Sequence, residues 1–143
     1  QAATVIQAML RDVGIQVNVD ALEWGTLLDT ATNHEFEMTL MGYTYNDPDV
    51  LSLFLHSEEA NGGLNTGAVK DPKLDELLQQ GKMAVDQDER LEVYTEIQKY
   101  VVEQAYWAPL ITENQFYIVN KNVPGLDLHP LLNLLYHDSW VVE

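Results

Sequence analysis

The first 43 residues of the chain alternate twice between the hydrophobic spacing of a helix and that of a strand. Residues 2–13 place apolar side chains three and four positions apart, as an amphipathic helix does, and Gly14 can end that helix. Residues 15–21 alternate apolar with polar side chains, which is typical of a half-buried strand. The helical spacing then returns at residues 24–32 and the strand spacing at residues 36–43. This order predicts an α/β fold, in which helices flank a parallel or mixed sheet.

The start of the chain indicates a part of a larger fold. Its first helix has no strand before it, whereas a βαβ unit begins with one. At 143 residues the chain has the length of one domain with its own hydrophobic core. We therefore expect residues 1–143 to be a single domain of a longer protein.

The middle of the chain predicts a helical hairpin. Asp71 can cap a helix that begins at Pro72, and a second helix begins near Asp88, with a break near Asp86. The spacing predicts that the inward-facing residues are Leu74, Leu77, Leu78, Leu91, Tyr94, Ile97, Val101 and Ala105.

The last third of the chain predicts short strands. Ala108-Pro109 ends the hairpin, because the residue before a proline is disfavoured in a helix. We expect strands at residues 110–112, 115–120 and 136–141, with an irregular segment at residues 126–135.

Charge and composition exclude several classes of function. The 7 basic and 23 acidic residues give a net charge of −16, which repels phosphate backbones and anionic lipid, so we expect no nucleic acid and no membrane surface as a partner. The absence of cysteine removes disulfides, thiolate zinc sites and cysteine nucleophiles. His34 and His137 lie beside carboxylates but lack the spacing of helical metal ligands. No serine has the glycine framing of a nucleophile elbow. We therefore expect no metal, no cofactor and no catalytic residue.

The most informative cluster is the turn that follows the strand predicted at residues 36–43. Ligands of open α/β sheets bind where such strands end. Tyrosine can stack on a solute and hydrogen-bond its edge, while an amide and a carboxylate add polar contacts. The alternative is that the tyrosines pack on a neighbouring element and that the carboxylate only caps a helix starting at Pro48. The candidate ligand-binding residues of this turn are Tyr43, Thr44, Tyr45, Asn46 and Asp47.

Two other residues, Asn65 and Trp24, could contribute to a site. Asn65 lies in a segment that Asn61-Gly62-Gly63 opens and that we expect to be flexible, and it is a further ligand-binding candidate. Trp24 could face a cleft, although anchoring a helix to a sheet is the commoner role. We expect Trp107 and Trp140 to be core or boundary residues.

Several segments, in this order, resemble the carboxyl-terminal part of the family 5 extracellular solute-binding proteins, the dipeptide, oligopeptide and nickel receptors of ABC importers. The resemblance spans nearly the whole chain. The segments that carry it are residues 6–10, 14–17, 23–24, 36–38, 42–43, 47–49, 71–78, 90–94, 108–110 and 123–126.

The resemblance implies one lobe of a two-lobed receptor with a type II periplasmic-binding-protein-like fold, which closes on its solute by a hinge. Residues 1–143 would be most of the second, carboxyl-terminal lobe, with a tail at about 126–143 that returns towards the first lobe. The implied partners are a small-molecule solute, the remaining lobe and the membrane permease of an ABC importer. The implied location is extracellular or periplasmic, with lipid anchoring of the full-length protein left open.

One departure from the family bears on the solute. Peptide receptors of the family usually place an acidic residue between the Gly-aromatic pair and the Asp-Pro, where it holds the amino group of the peptide. Here that stretch is Thr44-Tyr45-Asn46, so both a peptide and an oligosaccharide-like solute remain open. Two other functions also remain open. A carboxylate-dependent hydrolase would need Asp47 paired with a second buried acid, and a non-catalytic interaction domain would bury the turn against its own helices.

Overall fold

The computed structural model describes residues 1–112, 114–129, 131, 133–135 and 137–140. Its elements in chain order are α1 (Ala2–Asp12), α2 (Trp24–Thr32), α3 (Val50–Leu55), a 3-10 helix (Ser57–Ala60), α4 (Pro72–Met83), α5 (Gln87–Glu103), β1 (Asp127–Leu128) and β2 (Leu134–Leu135). The two strands pair antiparallel, with Asp127 opposite Leu135 and Leu128 opposite Leu134. Among the described residues, no helix has both the length and the apolar character that a bilayer crossing requires.

The hydrophobic core lies between α3, α4 and α5. The predicted hairpin is confirmed: Asp71 caps α4 with Pro72 in its first turn, and Asp86 caps α5. The inward positions predicted for α4 are buried, but two of those predicted for α5 are not. Leu91 is 67% exposed, and Ala105 lies beyond the end of the helix with a left-handed backbone. The core residues are Phe54, Leu55, Val69, Leu74, Leu77, Leu78, Tyr94, Ile97 and Val101.

The carboxylate of Asp71 ties the start of α4 to the end of α5. It accepts the main-chain N–H groups of Lys73 and Leu74, and its Oδ2 atom accepts the hydroxyls of Tyr100 and Tyr106, each at 2.8 Å. Burial pushes the pKa of Asp71 up, but these hydrogen bonds outweigh it and hold the pKa below its usual 3.8. The bond to Asp71 in turn raises the pKa of Tyr100 to about 12. The hairpin is therefore closed by a charge-assisted hydrogen-bond network at its open end.

The amino-terminal helices pack less closely. No residue of α1 is buried, and in α2 only Ala31 is. Helix α1 ends as predicted at Gly14, whose φ of 86° suits a glycine, and the N–H of Ile15 bonds back to Leu10. The imidazole of His34 lies between the carbonyl oxygens of Ala60 and Thr66, at 3.0 and 2.9 Å. This histidine joins the end of α2 to the loop before α4, and it has a structural role.

The strands predicted at residues 15–21 and 36–43 are not formed. Neither segment is hydrogen-bonded to a neighbouring strand, and a strand exists only as part of such a ladder. None of their apolar side chains is buried, and several are exposed, with Ile15 at 51% and Met38 at 65%. The pattern identified residues suited to a sheet, but no segment among the described residues pairs with them as a strand.

The predictions for the last third are wrong in part. Residues 110–112 and 115–120 form no strand, whereas the segment expected to be irregular, 126–135, contains β1 and β2. Residues 137–140 are not a strand either, and the remainder of the predicted last strand lies outside the described residues. These strands are too short for hydrophobic alternation to reveal them.

Candidate functional site

The turn at residues 43–47 leads into α3 through a hydrogen-bonded bend. Oδ1 of Asp47 accepts the N–H of Asp49 at 2.8 Å, and the carbonyl of Asp47 accepts the N–H of Val50. The helix therefore begins at Val50 with Asp49 at its N-cap, and not at Pro48 as the sequence predicted. Asp47 stabilises the bend before the helix rather than the first helical turn.

Three exposed aromatic rings contact one buried ring beside this turn, and a fourth exposed ring contacts one of the three. The ring of Tyr43 lies 4.3 Å from that of Phe54 and 6.2 Å from that of Trp24, measured between centroids. The rings of Tyr45 and Trp107 are each 5.9 Å from that of Phe54. We call the exposed rings of Trp24, Tyr43, Tyr45 and Trp107 the aromatic surface.

The aromatic surface is exposed to solvent, whereas the ring of Phe54 beneath it is buried. Phe54 is 4% exposed, while Tyr43 is 39%, Trp107 38%, Tyr45 48% and Trp24 51% exposed. Exposed aromatic rings fixed by contact with a buried ring offer large apolar faces at little cost in side-chain entropy. Such a surface is suited to stacking on the apolar part of a ligand.

The rings outside the turn are positioned by three different segments of the chain. Trp24 is the first residue of α2, where the carboxylate of Glu23 caps the helix by accepting the N–H of Gly25. Phe54 belongs to α3, and Trp107 follows the end of α5. The commoner role for Trp24, anchoring a helix to a sheet, is not what the structure shows, because half of the side chain is exposed and its ring meets Tyr43 edge-on.

Two side chains of α5 form hydrogen bonds with the turn and with the residues that follow it. The guanidinium of Arg90 donates to Oδ1 of Asp47 at 2.8 Å and lies over the ring of Tyr94, 5.3 Å from its centroid. The hydroxyl of Tyr94 donates to Oδ1 of Asp49 at 3.3 Å, and the hydroxyl of Ser52 donates to the same oxygen. Two contacts from α5 thus fix the orientation of residues 47–49. Sequence analysis missed both, because 43 and 45 positions separate the partners along the chain.

The electrostatics of the turn follow from these bonds. The N–H of Asp49 and then the guanidinium of Arg90 lower the pKa of Asp47, so its carboxyl group is ionised and paired at neutral pH. Burial, and then the neighbouring Tyr45, raises the pKa of Tyr43, which stays a neutral donor and acceptor. Thr44 and Asn46 are exposed between these groups and carry no charge.

Asn65 has a different role from the one the sequence suggested. It has no exposed area, and its amide nitrogen donates to the carbonyls of His56 and Val69 at 3.0 and 2.8 Å. Its amide oxygen accepts the N–H of Val69 at 3.0 Å. All three bonds join main-chain groups of one loop, so Asn65 fixes that loop and offers no group to a ligand. We do not keep it among the candidate ligand contacts.

The described residues offer no metal site. Within residues 1–112 and the described parts of the tail, no group of three His, Cys, Asp or Glu side chains could hold an ion. The ring of His137 is paired with Asp138 at 3.0 Å.

Comparison with known proteins identifies the class. Residues 1–63 match the profile of the bacterial extracellular solute-binding proteins, family 5 Middle. The probable di/tripeptide-binding protein 5 of Pseudomonas aeruginosa (strain UCBPP-PA14) is 35% identical over 131 residues, which cover 90% of this chain and 25% of that protein. These matches confirm the resemblance to the family 5 extracellular solute-binding proteins that the sequence indicated. It spans about a quarter of the length of the curated relatives it matches.

Solved structures agree on the fold. A dipeptide-binding protein from Pseudoalteromonas sp. SM9913, in complex with Met-Leu, matches 99% of this chain and 28% of its own, with a TM-score of 0.86 at 25% identity. The periplasmic binding protein DppA from Helicobacter pylori, in complex with the peptide STSA, matches 76% of this chain and 22% of its own, with a TM-score of 0.68 at 31% identity. The fold is thus that of part of an α/β lobe of a two-lobed periplasmic binding protein, as expected.

Proposed function

We propose that this chain forms one wall of the solute cleft of an ABC importer's receptor, and that the solute is a peptide. The observation that carries the proposal is the exposed aromatic surface, with Tyr43 and Tyr45 resting on the buried Phe54. Thr44, Asn46 and Asp47 lie on the same turn and complete the wall with polar groups. Relatives whose names state a ligand bind dipeptides, tripeptides or oligopeptides, which favours a peptide over an oligosaccharide-like solute.

Capture would follow the hinge closure of two-lobed receptors. Contacts from both lobes stabilise the closed state, so the solute shifts the population towards it. In this proposal residues 1–143 are most of the second lobe, and the tail at about 126–143 returns towards the first. The remaining lobe and a membrane permease are the protein partners. The receptor acts outside the cytoplasm, in the periplasm or at the cell surface, and a lipid anchor on the full-length protein is compatible with it.

We assign no catalytic role to this chain. A carboxylate-dependent hydrolase would pair Asp47 with a second buried acid, but its partner is Arg90 and its side chain is 59% exposed. A purely structural domain would bury the turn against its own helices, but Tyr43 and Tyr45 remain 39% and 48% exposed. Both observations favour a binding wall over the two alternatives.

The test is calorimetry on the longer protein that carries this sequence, with the dipeptide Met-Leu as the titrant. Loss of one stacking ring costs about 0.5–1.5 kcal/mol, so Tyr43→Ala and Tyr45→Ala should each weaken binding by roughly two- to tenfold. Phe116→Ala is the matched control, because Phe116 is an aromatic side chain 83% exposed outside the turn. Tyrosine variants that bind as tightly as the unaltered protein would overturn the proposal.

A thermal-shift screen separates the solute classes. A ligand that binds only the folded state raises the melting temperature, so peptides should raise it and oligosaccharides should not. The 143-residue chain alone supplies contacts from one wall, so we expect it to bind a peptide far more weakly than the longer protein does. Equal affinity of the two would contradict a cleft shared between lobes.

A further inference from the structure

We infer that this wall selects an apolar side chain of the peptide, and that Arg90 sets this selectivity by keeping the carboxylate of Asp47 occupied. The inference rests on the proposed function. Arg90 would be a positioning and specificity-determining residue that acts through Asp47 and makes no ligand contact itself.

The negative charge beside the aromatic surface is carried by Asp47. Asp47 is the last residue of the turn, and residues 43–46 before it carry no charged side chain. A free carboxylate there would attract a cationic group placed against the rings of Tyr43 and Tyr45. The guanidinium of Arg90, 2.8 Å from Oδ1 of Asp47, cancels most of that attraction. The wall therefore meets its ligand with apolar rings and a neutralised ion pair.

The ion pair of Arg90 and Asp47 is held in place from both sides. Arg90 lies over the ring of Tyr94, which is 3% exposed and packs against Gly81 of the facing helix. A cation held over an aromatic face in this way has less freedom than a surface side chain in water. Oδ1 of Asp47 also accepts the N–H of Asp49, so main chain and guanidinium hold the same oxygen.

The other charged side chain of this segment is the carboxylate of Asp49. Oδ1 of Asp49 accepts the hydroxyls of Ser52 and Tyr94. The side chain of Asp49 is thereby directed towards α3 and α5, and both of these hydrogen bonds are made to its Oδ1 atom. Asp47, whose side chain is 59% exposed, is the carboxylate of this bend that a ligand could reach if Arg90 were removed.

The experiment measures a ratio of affinities in the longer protein that carries this sequence. The probes are Met-Leu, Lys-Leu and Met-Lys, so that a cationic side chain is tried at each position of the dipeptide. We expect the unaltered protein to prefer Met-Leu over the lysine peptide whose cation faces this wall. Arg90→Gln should shift that ratio towards the lysine peptide by about three- to tenfold, because it frees the carboxylate.

Matched variants isolate the pair. Asp47→Asn leaves Arg90 as an unpaired cation and should shift the ratio in the opposite direction, away from the lysine peptide. The double variant should return the ratio towards that of the unaltered protein, since neither charge remains. Arg90→Lys keeps the charge and should keep the ratio, and Lys99→Gln removes the same charge elsewhere on α5 without effect.

The outcomes separate the two proposals. If the unaltered protein binds none of the three dipeptides, the proposed function fails. If it binds them and Arg90→Gln leaves the ratio unchanged, or both single variants shift it in the same direction, the role of Arg90 fails while the cleft wall stands. A ratio compares two ligands on one protein sample, so partial unfolding of a variant does not imitate the effect. Should Arg90→Gln not fold, the sign of the shift in Asp47→Asn decides.

Discussion

The unit from α3 to α5 and the amino-terminal 43 residues carry similar hydrophobic patterns, but only the first buries them. Every residue of the hydrophobic core belongs to residues 54–101, whereas α1 buries none. Val5 and Met9 of α1 are 59% and 65% exposed although their spacing is that of a core-facing helix. Periodicity thus tells which face of an element is apolar, and burial depends on whether the chain also brings the element that covers it. The aromatic surface lies where the two regions meet, because Trp24 and Tyr43 belong to the amino-terminal 43 residues and Tyr43 packs on Phe54 of α3.

The largest expected effect breaks the packed region and spares the open one. Leu78 of α4 has no exposed area, so Leu78→Ala should lower the free energy of unfolding of the chain by about 2–5 kcal/mol, through lost apolar contacts and the cavity left behind. Met9→Ala, at 65% exposure on α1, should change it by less than about 0.5 kcal/mol. Urea unfolding of the 143-residue chain measures both. Equal losses would contradict the division between the regions.

A smaller effect comes from overpacking the link between the hairpin and the turn. A Cβ atom on Gly81 would lie 3.0 Å from the ring of Tyr94, so Gly81→Ala should cost about 1–3 kcal/mol through overpacking, less the roughly 1 kcal/mol that alanine gains over glycine inside a helix, and it should displace the hydroxyl that bonds Asp49. Gly42→Ala is the control in the open region, because a Cβ there meets nothing within 4 Å. Unfolding free energies that differ little between the two variants would mean that Tyr94 yields easily and does not fix the turn.

The smallest of these effects depends on pH. The lowered pKa of Asp71 means that its charged form stabilises the fold. This contribution is fully present above its unfolded value of about 3.8 and is lost as the pH falls through the lower folded value. Asp71→Asn keeps a capping side chain but not the charge, so its melting temperature should be below that of the unaltered chain at pH 7, and the gap should narrow towards pH 3.

Asp86→Asn makes the same substitution at the cap of α5 and serves as the control at pH 7. It changes a cap that accepts the N–H groups of Asp88 and Glu89, while Asp71 also accepts two tyrosine hydroxyls. The loss in melting temperature should therefore be larger for Asp71→Asn. A gap for Asp71→Asn that stays constant from pH 7 to pH 3 would show that the network does not depend on its charge.

Sequence analysis was most successful where the signal was local. The Asp71-Pro72 cap, the break near Asp86 and the end of α1 at Gly14 each depend on one or two residues and their neighbours. The prediction of strands at residues 15–21 and 36–43 was wrong, because a strand requires a partner strand that local alternation does not reveal. The resemblance to a family could be recognised because many segments carry it in the same order along the chain.

The candidate site shows the same division. The tyrosines of the turn could be chosen from residue type and position, and their use by a ligand stays a prediction. The partners that fix them could not, because Phe54, Arg90 and Trp107 reach the turn through the packing of α3 and α5. Asn65 was predicted to contact a ligand because two glycines precede it in a loop, but its side chain is buried and its amide group bonds to the main chain. Tertiary contacts therefore decided which polar residues remain free for a solute.

The central claim is that the aromatic surface around Tyr43 and Tyr45 is a wall of the solute cleft. The most direct measurement is a crystal structure of the longer protein that carries this sequence, in complex with Met-Leu. A side chain of the dipeptide should lie within about 4 Å of the ring of Tyr43 or Tyr45, the distance of apolar contact. A dipeptide bound elsewhere, with both rings covered by the protein's own residues, would contradict the account.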